Sequence, residues 1–560
     1  MIVTLFTWAV LFLAAVISGA FFLSYSSCEQ LHKLGWYIAV GLAFLTVYAQ
    51  TFSLFYHIGA LACLGILLLC LIFLVLLRRR SGSLRKVHLK SFAVGRIEAG
   101  KLVFVILIII AIAFLTAQEP AAYDTSLYHA QAIRWIEEYS VVPGLGNLHN
   151  RFAYNSSFLC LQALFSFRWL FRQSLHSVNG FFSVIAICYA VLTQSGKRNA
   201  LLSDFLKLTA LFYLYEQRGQ ISSPNTDLSA LLMVWFILVK WTELAEQADT
   251  DKDIAPWCVL CVLSVYTMTL KLSSALIVLL TIYPLILLIQ RKEIRKLIFS
   301  LFAGIGCILP WMARSVLISG YLIYPLYQLD FFPVDWKMPP SVLEYDSKEI
   351  SVWGRAVKDV GLYEEPMSSW LPGWYGQLPD IYKVMVLTGA VGLILGMIRV
   401  VVGLMRRTMS YAMACSFLVC IACTMMWFLS SPDIRYGKIY VLLWNAYLLY
   451  QVFHCVGRLV LPLIAVPLLS VFLSAVLVHE TGVLVRETDY PQHSVTGVDY
   501  YGETFYLPND GDQVGYAYFP STPYEKRLEQ IELRGDNLSD GFRVKELYRA
   551  DHRNAYGDEW

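Results

Sequence analysis

Charge-free apolar windows recur along the whole chain, and they restrict its fold more than any motif does. Ile2–Leu23 is the plainest case, with no ionisable side chain. About 20 such residues in helical form match the thickness of a bilayer's hydrocarbon core. Charged residues make up only 15% of the chain and hydrophobic ones 57%, whereas soluble proteins carry about a quarter charged residues. The fold class this predicts is an all-α polytopic membrane protein. Spans are expected at 2–24, 34–55, 58–77, 102–117, 177–194, 200–215, 226–246, 256–270, 272–290, 297–318, 384–404, 410–430, 438–456 and 459–478. The first has no basic leader and no clear small-residue cleavage site, so it reads as a retained helix. Residues 156–171 are apolar but short, and read as a dipping or interfacial helix.

Charge placement gives sidedness. Residues 78–101, which begin with Arg78-Arg79-Arg80, are rich in Arg and Lys and are expected on the cytoplasmic side. The next span then runs outward. Residues 118–155, 319–383 and the tail after 479 fall outside, while Arg291–Lys296 and Arg406-Arg407 fall inside. Three regions follow: N-terminal spans and basic loop (1–101), membrane core with outer loops 118–155 and 319–383 (102–478), and an extracytoplasmic tail (479–560).

The first outer loop carries the densest chemistry. It holds Glu119, Tyr123, Asp124, Tyr128, His129, Arg134, Asn147, His149, Arg151 and Asn155. Residues 125–139 predict a helix lying on the membrane, with Leu127, Ala130, Ile133 and Ile136 on its apolar stripe and Gln131, Arg134 and Glu138 on a wet face. Asp124 stands at its start, where it reads either as an N-cap or as a catalytic base. Tyr128 and His129 beside it are candidate substrate contacts, although an isolated His more often hydrogen-bonds structurally. Tyr123, Tyr128 and Trp135 read either as rings packing on sugar or lipid, or as an interfacial belt.

A second group of charges lies where topology disfavours it. Asn225 and Asp227, Lys271, Arg314, and Asp433, Arg435 and Lys438 all fall at expected outer helix ends. Outer basic residues are disfavoured and buried charge is costly without a partner. Asp227 can pair with Lys271, and Asp433 with Arg435 or Arg314. The same cations can instead hold an anionic group such as a lipid phosphate. Lys438 reads as snorkelling from a helix end.

Other classes find no support. The chain has no basic recognition face for nucleic acid. Its 12 cysteines lie almost wholly in apolar spans, with no CxxC or Cys/His metal spacing in the polar regions. Val142–Gly146 is a turn, with neither the strand nor the helix of a nucleotide loop. Asn155-Ser-Ser and Asn537-Leu-Ser match the glycosylation sequon, a frequent chance pattern.

The stretch AAYDTSLYHAQAIRWIEEYSVVPG at 121–144 resembles the acidic loop that GT-C glycosyltransferases carry after their first core span. PWMARSVLISGYLIYP at 310–325 is similar to their PW-x-x-R stretch. YDTSLYHAQAIRW, VVPGLGNLH, TLKLSS and ELRGDNLSDGFR look like a group of bacterial membrane proteins linked with surface polysaccharide. The resemblance implies a GT-C-like helix bundle in a bacterial inner membrane, with its site on the extracytoplasmic face. It implies a polyprenyl-phosphate sugar donor and a glycan or other hydroxyl acceptor. Asp124 would be the acid that activates the acceptor, and Arg314 matches the motif arginine. Lys271 and Arg435 rest on charge placement alone, and Asn155 joins them as a substrate contact. The paired acids of many such enzymes are missing, since Thr125 and Ser126 follow Asp124. No cofactor is expected, and a divalent metal is poorly served by one carboxylate. A transporter or flippase of lipid-linked glycans would predict repeat symmetry and midplane charges, and neither is visible. A polysaccharide polymerase is not distinguished from a single-sugar transferase.

Overall fold

The structure, a computed structural model, describes residues 1–80, 99–195, 201–247, 253–454 and 481–549. The expected span 459–478 and most of the basic loop lie outside these residues. Every other expected span is a helix. Among the described residues, eight helices are long and apolar enough to cross a membrane. The helices Val178–Leu192 and Leu202–Glu216 have 15 residues each, roughly 22 Å at 1.5 Å per residue, against a hydrocarbon core of about 30 Å. This is a multi-pass helical membrane protein.

Local chemistry fixes the helix ends. The Asn225, Ser410 and Asp433 side chains accept the N–H groups of Asp227, Met413 and Arg435 at the starts of three helices, supplying partners to donors that a helix leaves open. Ile2–Leu23 and Leu34–Ser53 approach through glycine. A Cβ on Gly19 would lie 1.9 Å from the Tyr37 carbonyl oxygen, and one on Gly41 1.8 Å from that of Ala15. Small residues at such crossings allow backbones to touch.

Burial separates centre from rim. Thr226–Ala245 is 83% buried in its most apolar window, whereas Ala60–Arg80 is 22% buried and exposes Leu61, Leu64, Leu67, Leu68 and Leu71. The first is the centre of the bundle and the second presents an apolar face fit for lipid. Ser157–Leu164 has 8 residues, all buried, about 12 Å of helix and too short to cross.

The tail is not a loose extension. Val495–Tyr500 pairs antiparallel with Glu503–Pro508, and Ile531–Leu533 with Phe542–Val544. It begins against the N-terminal helix, where Val3 N–H donates to the Val485 carbonyl (3.1 Å) and the Thr4 hydroxyl to Glu487 (3.0 Å). It then lies across Ala130–Glu138. The expectation of a wet face on that helix is overturned. Gln131 donates to the carbonyls of Gly515 (2.9 Å) and Tyr518 (2.7 Å), and Arg134 to those of Tyr516 (2.7 Å) and Ala517 (2.6 Å). The carbonyls of an irregular segment need donors, and this polar helix face supplies them. Trp135 is no interfacial belt residue either: it is 2% exposed, with its ring 4.7 Å from that of Phe519.

Candidate functional site

Three helix termini and the first loop meet at one end of the bundle. Asp227 sits in the first turn of Thr226–Ala245, Lys271 just after Ala255–Leu270, and Arg435 in the first turn of Ile434–Phe453. Asp124 lies in a helical turn leading into Thr125–His129, a segment wound as π-helix. No cap bond forms from its side chain, so the N-cap reading of Asp124 fails. Its carboxylate turns to the cations instead. Arg435 Nη1 donates to Asp124 Oδ2 at 2.9 Å, and Arg151 Nη1 lies 3.8 Å from Oδ1.

The pairing continues outward from Arg435. Its Nε is 3.6 Å from Asp227 Oδ2 and 4.0 Å from Asp433 Oδ2, and its Nη2 donates to the Tyr436 hydroxyl at 2.5 Å. Lys271 forms an ion pair with Asp227 and lies 4.2 Å above the Tyr436 ring. The expected Asp227–Lys271 and Asp433–Arg435 pairs are both present, within one alternating network. Burial pushes the Asp124 carboxyl up, but the charges facing it, Arg435 first and then His129, Arg151 and Lys271, outweigh it and hold it below the usual carboxylate range.

Tyr128 and His129 flank this network. Tyr128 is buried under Arg151, whose guanidinium carbon is 6.0 Å from the ring centre. Burial pushes the Tyr128 hydroxyl well above its ordinary value. His129 is 1% exposed, and neither ring nitrogen has a hydrogen-bond partner among the described residues. Burial lowers it to about 4, against the pull of Asp124 and Asp227. It is therefore neutral at pH 7, and the fixed cations carry the stabilisation of Asp124.

Arg314 and Asn155 form a separate group. Arg314 Nε donates to Asn155 Oδ1 (3.2 Å), and Nη1 to the Ser53 hydroxyl (2.6 Å). Asn155 donates to the Trp311 carbonyl (2.8 Å) and its own carbonyl accepts from Trp311 Nε1 (2.9 Å). Its φ of 48° is a left-handed conformation that Asn tolerates. Asn155 is thus a buried clamp between loop and helix, not a glycosylation acceptor. Together with Trp135 and Phe152 the two residues line a small cleft, part of whose roughly 440 Å³ of empty space opens to solvent. The ionic network, not this cleft, gathers the chemistry. Lys438 does not snorkel: it is buried, donating to the Tyr382 hydroxyl at 3.0 Å with Glu216 3.9 Å away.

Several residues of the site were either named in the first loop without a role, as Arg151 was, or not singled out at all. Arg151 is the second cation on Asp124. Asp346, on Pro340–Gly354, is fully buried and accepts from Asn150 (2.7 Å), Tyr154 (3.0 Å) and Tyr324 (3.1 Å). Burial raises its carboxyl and that of Glu349 one turn on, and Arg151 opposes both shifts. The tail brings Asp512 to the Tyr123 hydroxyl. No spacing in the sequence joins positions so far apart. Among the described residues no three His, Cys, Asp or Glu side chains are grouped to hold a metal. Asp124, Asp227 and Asp433 each face cations, which is a poor donor set for a divalent ion.

The fold and site thus define a multi-pass helical membrane protein with an interleaved ionic site at one end of its bundle. By comparison with known families, the chain belongs to the family described as "Domain of unknown function (DUF8201)", whose model matches residues 1–442. That match takes in Asp124, Lys271 and Arg435 and stops before the tail. Searches of curated proteins and of solved structures return no match.

Proposed function

We propose that this protein is a membrane glycosyltransferase. It moves a sugar from a polyprenyl-phosphate donor to a hydroxyl acceptor, in surface polysaccharide or glycoconjugate assembly, at the extracytoplasmic face of a bacterial inner membrane. The observation that carries this reading is the contact of Asp124 with Arg435 inside a network that also holds Lys271 and Arg151. A carboxylate and several cations are the two parts that transfer from a lipid phosphate needs. The acceptor O–H gives its proton to Asp124 while its oxygen attacks the anomeric carbon. The bond from that carbon to the phosphate oxygen breaks, its electron pair leaves on the phosphate, and Arg435 and Lys271 balance the charge. Attack from the face opposite the leaving group inverts the anomeric centre. Arg314 shapes the adjoining loop through Asn155 in this reading and does not touch phosphate. The extracytoplasmic placement is supported by Arg78, Arg79 and Arg80, which close a helix whose other end meets the first loop, where Ile58 N–H donates to the Ile136 carbonyl at 2.9 Å.

The test uses purified protein, a set of polyprenyl-phosphate sugars and Asp124→Asn. Removing a general base lowers turnover by about 10²–10⁴-fold, so donor consumption is expected to fall by at least a hundredfold at unchanged melting temperature. Donor turnover indifferent to this change would end the catalytic assignment.

A further inference from the structure

The network around Asp124 is electrically closed. Arg435, Lys271 and Arg151 face Asp124, Asp227 and Asp433, so the cations are already matched by carboxylates. A phosphate entering here must take Arg435 and Lys271 from their present partners. Asp124 has a part in the proposed chemistry, but Asp227 has none. Its side chain is almost wholly buried, and its ion pairs are with Lys271 and Arg435. It is not required as a cap, because Asn225 Oδ1 already accepts the N–H of Asp227 at 2.8 Å. A buried carboxylate standing against the two phosphate-binding cations repels any anion that reaches them.

That repulsion is not equal for substrate and product. The donor is a phosphodiester with one negative charge. The product is a phosphate monoester carrying about −1.5 to −2 at neutral pH. We infer that Asp227 is a resident counter-ion that discriminates between them, weakening retention of the dianionic polyprenyl phosphate and so driving product release. This rests on the reading of the site as one for a lipid phosphate.

Two probes separate the charge states without turnover: a short-chain polyprenyl phosphate and its methyl ester, which holds a single charge. Coulomb repulsion over a few ångströms near a protein surface amounts to about tenfold in affinity per added charge after screening. Asp227→Asn is therefore expected to bind the methyl ester, with its single charge, about tenfold tighter than wild type and the monoester about thirty- to a hundredfold tighter. Asp227→Ser should give the same order and covers the case where the amide variant does not fold. Equal tightening of both probes overturns the discrimination, and unchanged or weaker binding of the monoester overturns the counter-ion role. If neither wild type nor variants bind either probe, the phosphate reading of the site falls as well. If both probes bind and Asp227→Asn shows the expected order while Asp124→Asn leaves transfer intact, the counter-ion role stands without the proposed catalysis.

Discussion

A general base must be unprotonated at working pH yet free when the substrate arrives. Asp124 meets the first condition through its cations, which hold its carboxyl below the usual range. Sequence spacing could not separate a capping Asp from a catalytic one, because both stand before a helix. The structure removes only the cap: the Asp124 side chain makes no cap bond and meets Arg435, 311 positions away. His129 behaves oppositely. Its folded value of about 4 lies below the ordinary 6.5, so between these limits the unfolded chain binds the extra proton. Its contribution to stability is present above pH 6.5 and is lost as pH falls towards 4, roughly 2 kcal/mol of it by pH 5. Asp124, Asp227, Lys271 and Arg435 are the charges that act on it. His129→Phe keeps a ring and removes the titration. The variant is expected to show a smaller loss of melting temperature between pH 7 and pH 5 than wild type does. Equal losses would show that this imidazole takes no part in acid sensitivity.

At the scale of elements, the surface helix was legible and its surroundings were not. The apolar stripe of Leu127, Ala130, Ile133 and Ile136 is buried as its spacing predicts. The opposite face reads as wet because Gln131 and Arg134 are polar, yet polarity is equally satisfied by carbonyls of a distant segment. The π-wound turn matters here too: the Ser126 carbonyl accepts the N–H groups of Val514 (3.0 Å) and Gly515 (2.9 Å), stitching the tail to the turn after Asp124. A second stitch joins Phe542 N–H to the Pro143 carbonyl at 2.9 Å, between two glycines of positive φ, Gly144 at 68° and Gly541 at 95°. A Cβ on Gly541 would lie 2.1 Å from the Pro143 oxygen, a clash that backbone cannot relieve by a rotamer change. Gly541→Ala should therefore detach this part of the tail, a cost of about 2 kcal/mol or more for a lost contact at a strained φ. Limited proteolysis is expected to cut the variant after residue 490 well before wild type while the helix bundle stays intact. Equal cleavage rates would mean that the second stitch does not hold the tail.

At the scale of the molecule, apolar length specified the spans because nothing but a helix closes its own hydrogen bonds in lipid. The pattern of charges located the ends of those helices and, through Asp227, Lys271 and Arg435, the ionic site. It gave Arg151 no role and did not single out Asp346 or Glu349, because how loops fold over the bundle end leaves no period in the sequence. Sidedness follows from the same charges and can be tested directly. Asp380–Met405 has 26 residues, about 39 Å of helix, and separates exposed Ser369 from exposed Thr408. By the positive-inside rule the end bearing Arg406 and Arg407 is expected in the cytoplasm. In a cysteine-free background, Ser369→Cys is expected to react with a membrane-impermeant maleimide in intact cells. Asp510→Cys, on the tail that contacts Tyr123, should do the same. Thr408→Cys should react only after permeabilisation. The reverse pattern would put Asp124 and its cations on the cytoplasmic face, where nucleotide-activated sugars compete as donors, and the case for a lipid-phosphate donor would lose its topological support.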